Sequence, residues 1–280
     1  MQRFVVGVDE SAAAAAALRW AGGLAATAGA EIVAVNAFPN PWAEMRPEDQ
    51  ERLIDDRQQL LAGEWTRPAT DAAASVRTTL RQGDPRDVLL TVAEAEEADL
   101  VVLGRTGGGG GPGFLHLGSV VEHAAHHLGR PLAVIPSTAS GPIERIILGV
   151  DGSADSLVAV NWCAELARVT EATVVAVSVW EPYIEWTPSS SAANWRRDLE
   201  LRIAEWVTPI SEAGVTVEYV AQRDLHPCDG LLGVASARAG DVLVLGARGA
   251  GGFLGLRVGG VAMKVLHRAS MPVVLVPPRG

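Results

Sequence analysis

The feature that most constrains this chain is that it repeats itself. RFVVGVDES, Arg3 to Ser11, returns as RIILGVDGS, Arg145 to Ser153, an offset of 142 residues. Trp20 and Trp162 keep that offset, as do Val35 and Val177, Gly104 and Gly246, and Gly107 and Gly249. The register then slips to 141: Gly118 matches Gly259, and PLAVIP (Pro131 to Pro136) matches PVVLVP (Pro272 to Pro277), so the first copy carries one extra residue in its glycine-rich stretch. A period this long is domain-sized, well above the roughly 20 to 50 residues of a solenoid unit. Two tandem domains are therefore expected, at residues 1–138 and 143–280, joined by the small-residue segment STASGP from Ser137 to Pro142.

Within each copy the pattern alternates short apolar runs with amphipathic or alanine-rich stretches. FVVGV reads as a first strand, Ser11 as an N-cap, and AAAAAALRWAGGLAA as the helix it starts. EIVAVNAF is the second strand. A longer helix from Pro47 to about Ala74 follows, with Leu53, Leu60, Leu61 and Trp65 on one side. Its counterpart spaces Trp195, Leu199, Ile203, Trp206 and Ile210 by three and four. Ser75 to Leu80, DLVVLG and LAVIP complete five strands, with helices at Pro85 to Ala95 and Ser119 to Leu128. Uninterrupted apolar strands such as VVLG and VLVLG suit a parallel sheet covered on both faces. The expected fold class is α/β: two tandem doubly wound five-stranded parallel sheet domains with strand order 3-2-1-4-5.

Composition narrows the partners. The formal charge of -10 argues against a broad nucleic-acid or anionic-membrane surface, since both need clustered Lys and Arg. Cys163 and Cys228 are the only cysteines, with no CxxC and no zinc spacing, so no metal site is expected. His123, His126 and His127 fall on one helical face but have no matching carboxylate or Cys, which favours a partly exposed histidine face over a metal site. The N-terminus lacks a signal-peptide pattern and no run of ~20 uncharged apolar residues occurs, so a soluble cytoplasmic protein is expected.

In a doubly wound sheet of this order, ligands bind beyond the carboxyl ends of strands 1 and 4, where the winding reverses. Strand 1 ends in Gly7-Val8-Asp9, and strand 4 runs into GRTGGGGGPGFLHLGS. A glycine loop entering a helix at Gly118-Ser119 offers backbone N–H groups beside the positive end of the helix dipole, which suits a phosphate without any lysine. There is no GxxxxGK[ST]. The GxGxxG read at Gly108, Gly110 and Gly113 is met trivially by a glycine run and follows the wrong strand for a dinucleotide fold.

These motifs resemble the universal stress protein family, in its tandem-domain form. The family pattern is G-x2-G-x9-G-[ST] after the fourth strand, with VGVDGS at the end of the first. The second copy gives Gly246-x2-Gly249-x9-Gly259, with Gly260 where the family has Ser or Thr. The first gives Gly104-x2-Gly107, then ten residues, then Gly118-Ser119. The resemblance implies an adenine nucleotide alpha hydrolase-like fold binding ATP, with Mg2+, at one site per domain. It assigns Asp9 and Asp151 to the nucleoside side, with backbone approach at Gly7, Val8, Gly149 and Val150. Val35 and Val177 would line the adenine pocket, and Asp84 and Asp224 would approach the base. Gly104, Gly107, Gly118, Ser119 and Val120 would hold phosphates in the first copy, and Gly246, Gly249, Gly259, Gly260 and Val261 in the second. A missing hydroxyl at Gly260 removes about 1 kcal/mol, close to tenfold in affinity.

The implied function is a nucleotide-dependent stress-response regulator, not an enzyme, acting with an unknown protein partner and as a homodimer through sheet edges. Other readings fit the same residues. Asp9 and Asp151 could serve only as caps beside Ser11 and Ser153. Arg105 and Arg248 in the loops leave slow ATP hydrolysis open, and the altered loops leave open a scaffold that has lost one or both sites. An adenylating enzyme on a related sheet is disfavoured, because neither an SGGxDS-like signature nor HxGH occurs. The aromatic stretches FPNPWAEM and VWEPYIEWTPSSSAANW serve equally as a lid, an interface or plain packing.

Overall fold

The computed structural model describes residues 1–38, 46–107, 117–181, 192–249 and 257–278. The chain divides into two compact units, Met1–Gly141 and Pro142–Gly280, each a doubly wound α/β domain. Unit 1 runs β1 (Arg3–Gly7), α1 (Ala12–Ala28), β2 (Glu31–Phe38), α2 (Pro47–Leu60), a π-helical turn (Leu61–Trp65), α3 (Arg67–Thr70), β3 (Ser75–Gln82), α4 (Pro85–Ala95), β4 (Leu100–Gly104), α5 (Ser119–His127) and β5 (Leu132–Ile135). β1 lies between β2 and β4, β2 pairs with β3 and β4 with β5, all parallel, which gives the order 3-2-1-4-5.

Unit 2 runs β6 (Arg145–Gly149), α6 (Ala154–Thr170), β7 (Thr173–Trp180), α7 (Ala192–Trp206), α8 (Thr208–Glu212), β8 (Val217–Arg223), α9 (Pro227–Ala237), β9 (Val242–Gly246), α10 (Gly260–Arg268) and β10 (Val273–Val276). Its parallel pairings repeat the same order, β8-β7-β6-β9-β10.

Local chemistry explains the first β-turn-α unit of each copy. Ser11 Oγ accepts the Ala14 N–H at 3.0 Å, and Gly29 in the left-handed region (φ 66°) ends the helix. Ser153 caps α6 in the same way, accepting from Ser156 at 3.2 Å. At the other end Glu171 takes φ 56° without being glycine, which costs about 1 kcal/mol. The alanines of α1 let it lie close on the sheet, and Ala13, Ala14, Ala16 and Ala17 are buried. Phe4, Val5 and Val6 in β1 and Leu100, Val101 and Val102 in β4 are wholly buried, as strands covered on both faces must be.

The long helix expected from Pro47 to Ala74 is broken in two. Leu61 and Ile203 are both buried at an offset of 142, whereas the buried pair Ala69 and Ile210 stands at 141. The π-turn takes up one further residue of the first copy, separate from the one in its glycine-rich stretch and matched again by the residue that unit 2 gains between β8 and α9, which is what a single wide turn does in a helix. Leu60, expected on the inner face, is 38% exposed because the turn carries its side outward, and Leu61 takes the core position.

Candidate functional site

β1 and β4 end side by side, with Phe4, Val5 and Val6 in register with Leu100, Val101 and Val102. β1 then feeds α1 while β4 feeds the glycine loop, and this divergence opens a cleft. The two chains approach so closely there that only glycine fits. A Cβ on Gly104 would stand 2.5 Å from the Ala13 carbonyl carbon, and one on Gly246 would stand 2.8 Å from that of Asp155. The end of β4 therefore lies against the first turn of α1, and the second unit repeats the contact.

Asp9 sits at the same point. Its Oδ1 accepts the Ser11 N–H at 3.0 Å, and its Oδ2 is 2.9 Å from where a Cβ on Gly107 would be. In unit 2 Asp151 Oδ1 accepts from Ser153 at 3.0 Å, and its Oδ2 is 2.5 Å from the Cβ position of Gly249. The loop is closed beyond by Gly118 N–H donating to Arg105 O at 2.9 Å and by Gly259 N–H donating to Ala247 O at 2.8 Å. Gly118 and Gly259 are the N-caps of α5 and α10 and bring no side-chain cap, so the first-turn N–H groups have no partner within their helices.

The cleft of unit 1 has a volume of about 640 Å³. Of the residues expected from the sequence, Gly7, Val8, Asp9, Val35, Gly104, Gly107, Gly118, Ser119 and Val120 line it. Apolar walls come from Val8, Val35, Leu89, Leu103 and Leu117. The size and the mix of apolar wall with a few polar groups are those of a small-molecule site. In unit 2, Val150 N–H donates to Val177 O at 2.9 Å, as Val8 N–H does to Val35 O at 2.8 Å, so Gly149, Val150, Asp151 and Val177 hold the matching positions.

Two expected residues of unit 1 stand elsewhere. Asp84 is the N-cap of α4, accepting the Arg86 N–H at 2.9 Å, and its neighbour Pro85 lines the cleft instead. The Arg86 guanidinium holds the Asp84 carboxyl down at about 2. Asp224 is not its counterpart: it lies two residues before the N-cap His226 and accepts that residue's N–H at 3.0 Å. Arg105 is buried, a setting that lowers its pKa through desolvation, and it is not among the cleft-lining residues.

Nor do the two loop arginines correspond. By register Arg248 matches Thr106, and Arg105 matches Ala247. Arg248 is committed to Asp155 in the first turn of α6, with Nε to Oδ2 at 2.7 Å and Nη2 to Oδ1 at 3.3 Å. Unit 1 has Ala13 and Thr106 at those places and so lacks the pair. Unit 2 also has Gly152, at φ 76°, where unit 1 has Glu10, and the Trp206 indole packs so tightly on it that a Cβ would meet the ring at 2.5 Å.

Sequence reasoning missed Asn36 and Arg57, which both line the cleft of unit 1. Asn36 is buried; its Nδ2 donates to Val8 O at 2.7 Å and its Oδ1 accepts from Arg57 Nη1 at 3.0 Å. The signal was a lone Asn in the apolar strand EIVAVNAF, since a buried amide requires partners. The extra residue of the first glycine loop and most of both aromatic stretches lie outside the described residues. His123 and His127 stack with ring centroids 4.2 Å apart, and among the described residues no three His, Cys, Asp or Glu side chains gather as metal ligands. No described helix is long and apolar enough to cross a membrane.

The family model described as the universal stress protein family matches residues 1–136 and again 142–277. The chain belongs to the universal stress protein family. Among the relatives of this universal stress protein is one from Mycolicibacterium smegmatis, 28% identical, with 98% of this chain and 97% of the relative covered. Another, from Mycobacterium tuberculosis, is 29% identical, with 97% and 95% covered. The fold is shared with the crystal structure of a universal stress protein from Archaeoglobus fulgidus, at TM-score 0.76 and 17% identity, covering 99% of this chain and 98% of that one.

Proposed function

We propose that this universal stress protein binds ATP in the cleft of unit 1, and in a weaker second site in unit 2, and that occupancy regulates its part in a stress response. The observation that carries this reading is the meeting of Asp9, Gly107 and the uncapped start of α5 around one cleft. An anion is favoured at the helix start by the free N–H groups and the dipole, and the glycines let backbone donors come within reach of phosphate oxygens. Val8 and Val35 offer an apolar wall to a base, and the family resemblance supports a role for Asp9 on the nucleoside side. Magnesium is bound through one or two carboxylates together with substrate phosphates, and Asp9 is a carboxylate in place for that.

Binding is favoured over turnover. Fast phosphoryl transfer uses a cation free to meet the transferring phosphate. Arg248 is instead held by Asp155, and Thr106 stands at the matching place in unit 1. Action in the cytoplasm, through a protein partner still to be found and as a homodimer formed at an exposed strand edge, belongs to the same proposal.

The test is to purify the full chain, denature it and chromatograph the supernatant for released nucleotide, and to follow its melting with and without ATP and Mg2+. Released adenine nucleotide, or an upward shift of the melting temperature with ATP, is expected. Neither appearing would overturn the proposal and favour a scaffold of the same fold.

A further inference from the structure

We infer that Arg57 reads the nucleoside end of the ligand in unit 1, as a specificity-determining residue that unit 2 does not possess; this rests on the nucleotide reading of the cleft. Arg57 projects from α2 into the cleft and is held there from two sides. Asn36 Oδ1 accepts from its Nη1 at 3.0 Å, and its guanidinium carbon lies 5.9 Å from the centre of the Trp65 ring. Asn36 is itself fixed, since its Nδ2 donates to Val8 O at 2.7 Å; only one orientation of the amide gives both a donor to the carbonyl and an acceptor to the guanidinium. Arg57, Asn36 and the end of β1 thus form one connected unit.

Two features make this cation available to a ligand. Among the described residues no carboxylate stands within ion-pair distance of Arg57, unlike Arg248 with Asp155 or Arg86 with Asp84. A guanidinium has five N–H donors, and only one is given to Asn36. The others can reach acceptors in the cleft.

Position decides which part of the ligand they meet. Asn36 is on β2, on the far side of β1 from β4, whereas the glycine loop and the start of α5 follow β4. Two strand spacings of about 4.8 Å separate the two ends of the cleft. With phosphates at the start of α5, the group next to Arg57 is the ribose or the base. Ribose oxygens and purine ring nitrogens are acceptors, and the planar guanidinium also stacks on a base face. In unit 2 the residues at the same register are Ser178 and Leu199, which supply neither the amide nor the cation. The two sites thus differ in how they grip the nucleoside as well as in their loops.

Isothermal titration of the full chain with ATP and, separately, with inorganic tripolyphosphate separates the nucleoside grip from the phosphate grip. Arg57→Leu and Arg57→Gln are compared with the native chain, and both variants are checked for unchanged folding by circular dichroism. The expected result is that one ATP-binding step weakens about tenfold in both variants while tripolyphosphate binding stays within about twofold, the scale of one charge-assisted hydrogen bond. Equal weakening of both ligands would overturn the inference by making Arg57 a general attractor of anions. Unchanged ATP binding would overturn it too. If the native chain binds neither ligand, the nucleotide reading itself falls, and that failure is distinct from the other two.

Discussion

Asp9 Oδ2 stands 2.9 Å from the point where a Cβ on Gly107 would be, and Asp151 Oδ2 stands 2.5 Å from the same point on Gly249. Each first-strand carboxylate is thus fitted to a glycine of the fourth-strand loop. Neither glycine has a φ in the left-handed region, so space alone requires it. Gly107→Ala is expected to push Asp9 aside and weaken nucleotide binding about tenfold or more, with stability changed by less than about 1 kcal/mol because Gly107 is exposed. Melting and ATP titration of the same variant check both halves; full affinity in Gly107→Ala would remove this contact from the site.

Gly104 and Gly246 face backbone, which cannot step aside as a carboxylate can. Alanine at either place forces the end of the strand off the first turn of the helix and should destabilise its unit by about 1–3 kcal/mol, the usual cost of overpacking. The Gly104 contact, at 2.5 Å, is tighter than that of Gly246 at 2.8 Å, so Gly104→Ala is expected to cost more. Urea unfolding of the two variants gives the order directly.

Gly260 has open space around its Cβ position. Gly260→Ser restores the hydroxyl of the family pattern with no clash and replaces glycine in the first turn of α10. A gain of about 0.5 kcal/mol in stability and close to tenfold in the affinity of the second site are expected. Calorimetric titration in which the weaker of two binding steps tightens close to tenfold in Gly260→Ser while the stronger step is unchanged would bear this out; an unchanged weaker step would show that the hydroxyl is not what limits unit 2.

The Asp84–Arg86 contact predicts a pH dependence. Arg86 lowers the Asp84 pKa from 3.8 to about 2. A carboxyl with a depressed native pKa stabilises the fold fully above its unfolded value and loses that contribution as pH falls through its native value. Asp84→Asn keeps a good cap but removes the charge. The variant should therefore melt below the native chain at pH 6, with the gap closing between about pH 4 and pH 2. A gap independent of pH would mean that the ion pair contributes nothing.

The fold was legible because its signals are local. Apolar runs at β1, β4, β6 and β9, serine caps at Ser11 and Ser153, and the 142-residue repeat require no knowledge of distant contacts. The site was legible where glycine marks close approach, as at Gly104 and Gly107. Less could be read where function depends on side chains meeting across the fold. Arg57 on α2 meets Asn36 on β2 from 21 positions away, a pairing that neither element's own pattern records. Asp84 and Asp224 both follow the third strand of their copy, yet one is an N-cap and the other lies two residues before one, because Asp84 ends a two-residue connection to α4 whereas Asp224 begins a three-residue connection to α9. The π-turn at Leu61–Trp65 likewise leaves no mark in hydrophobic spacing beyond a one-residue shift.

The central claim, that Asp9 and the glycine cradle of unit 1 hold ATP, is tested most directly by equilibrium dialysis of labelled ATP against the full native chain and its Asp9→Ala, Gly107→Ala double variant. The account predicts saturable binding by the native chain, with its tighter step weakened at least tenfold in the double variant while circular dichroism shows the fold retained. Equal binding by both proteins, or none by the native chain, would contradict it.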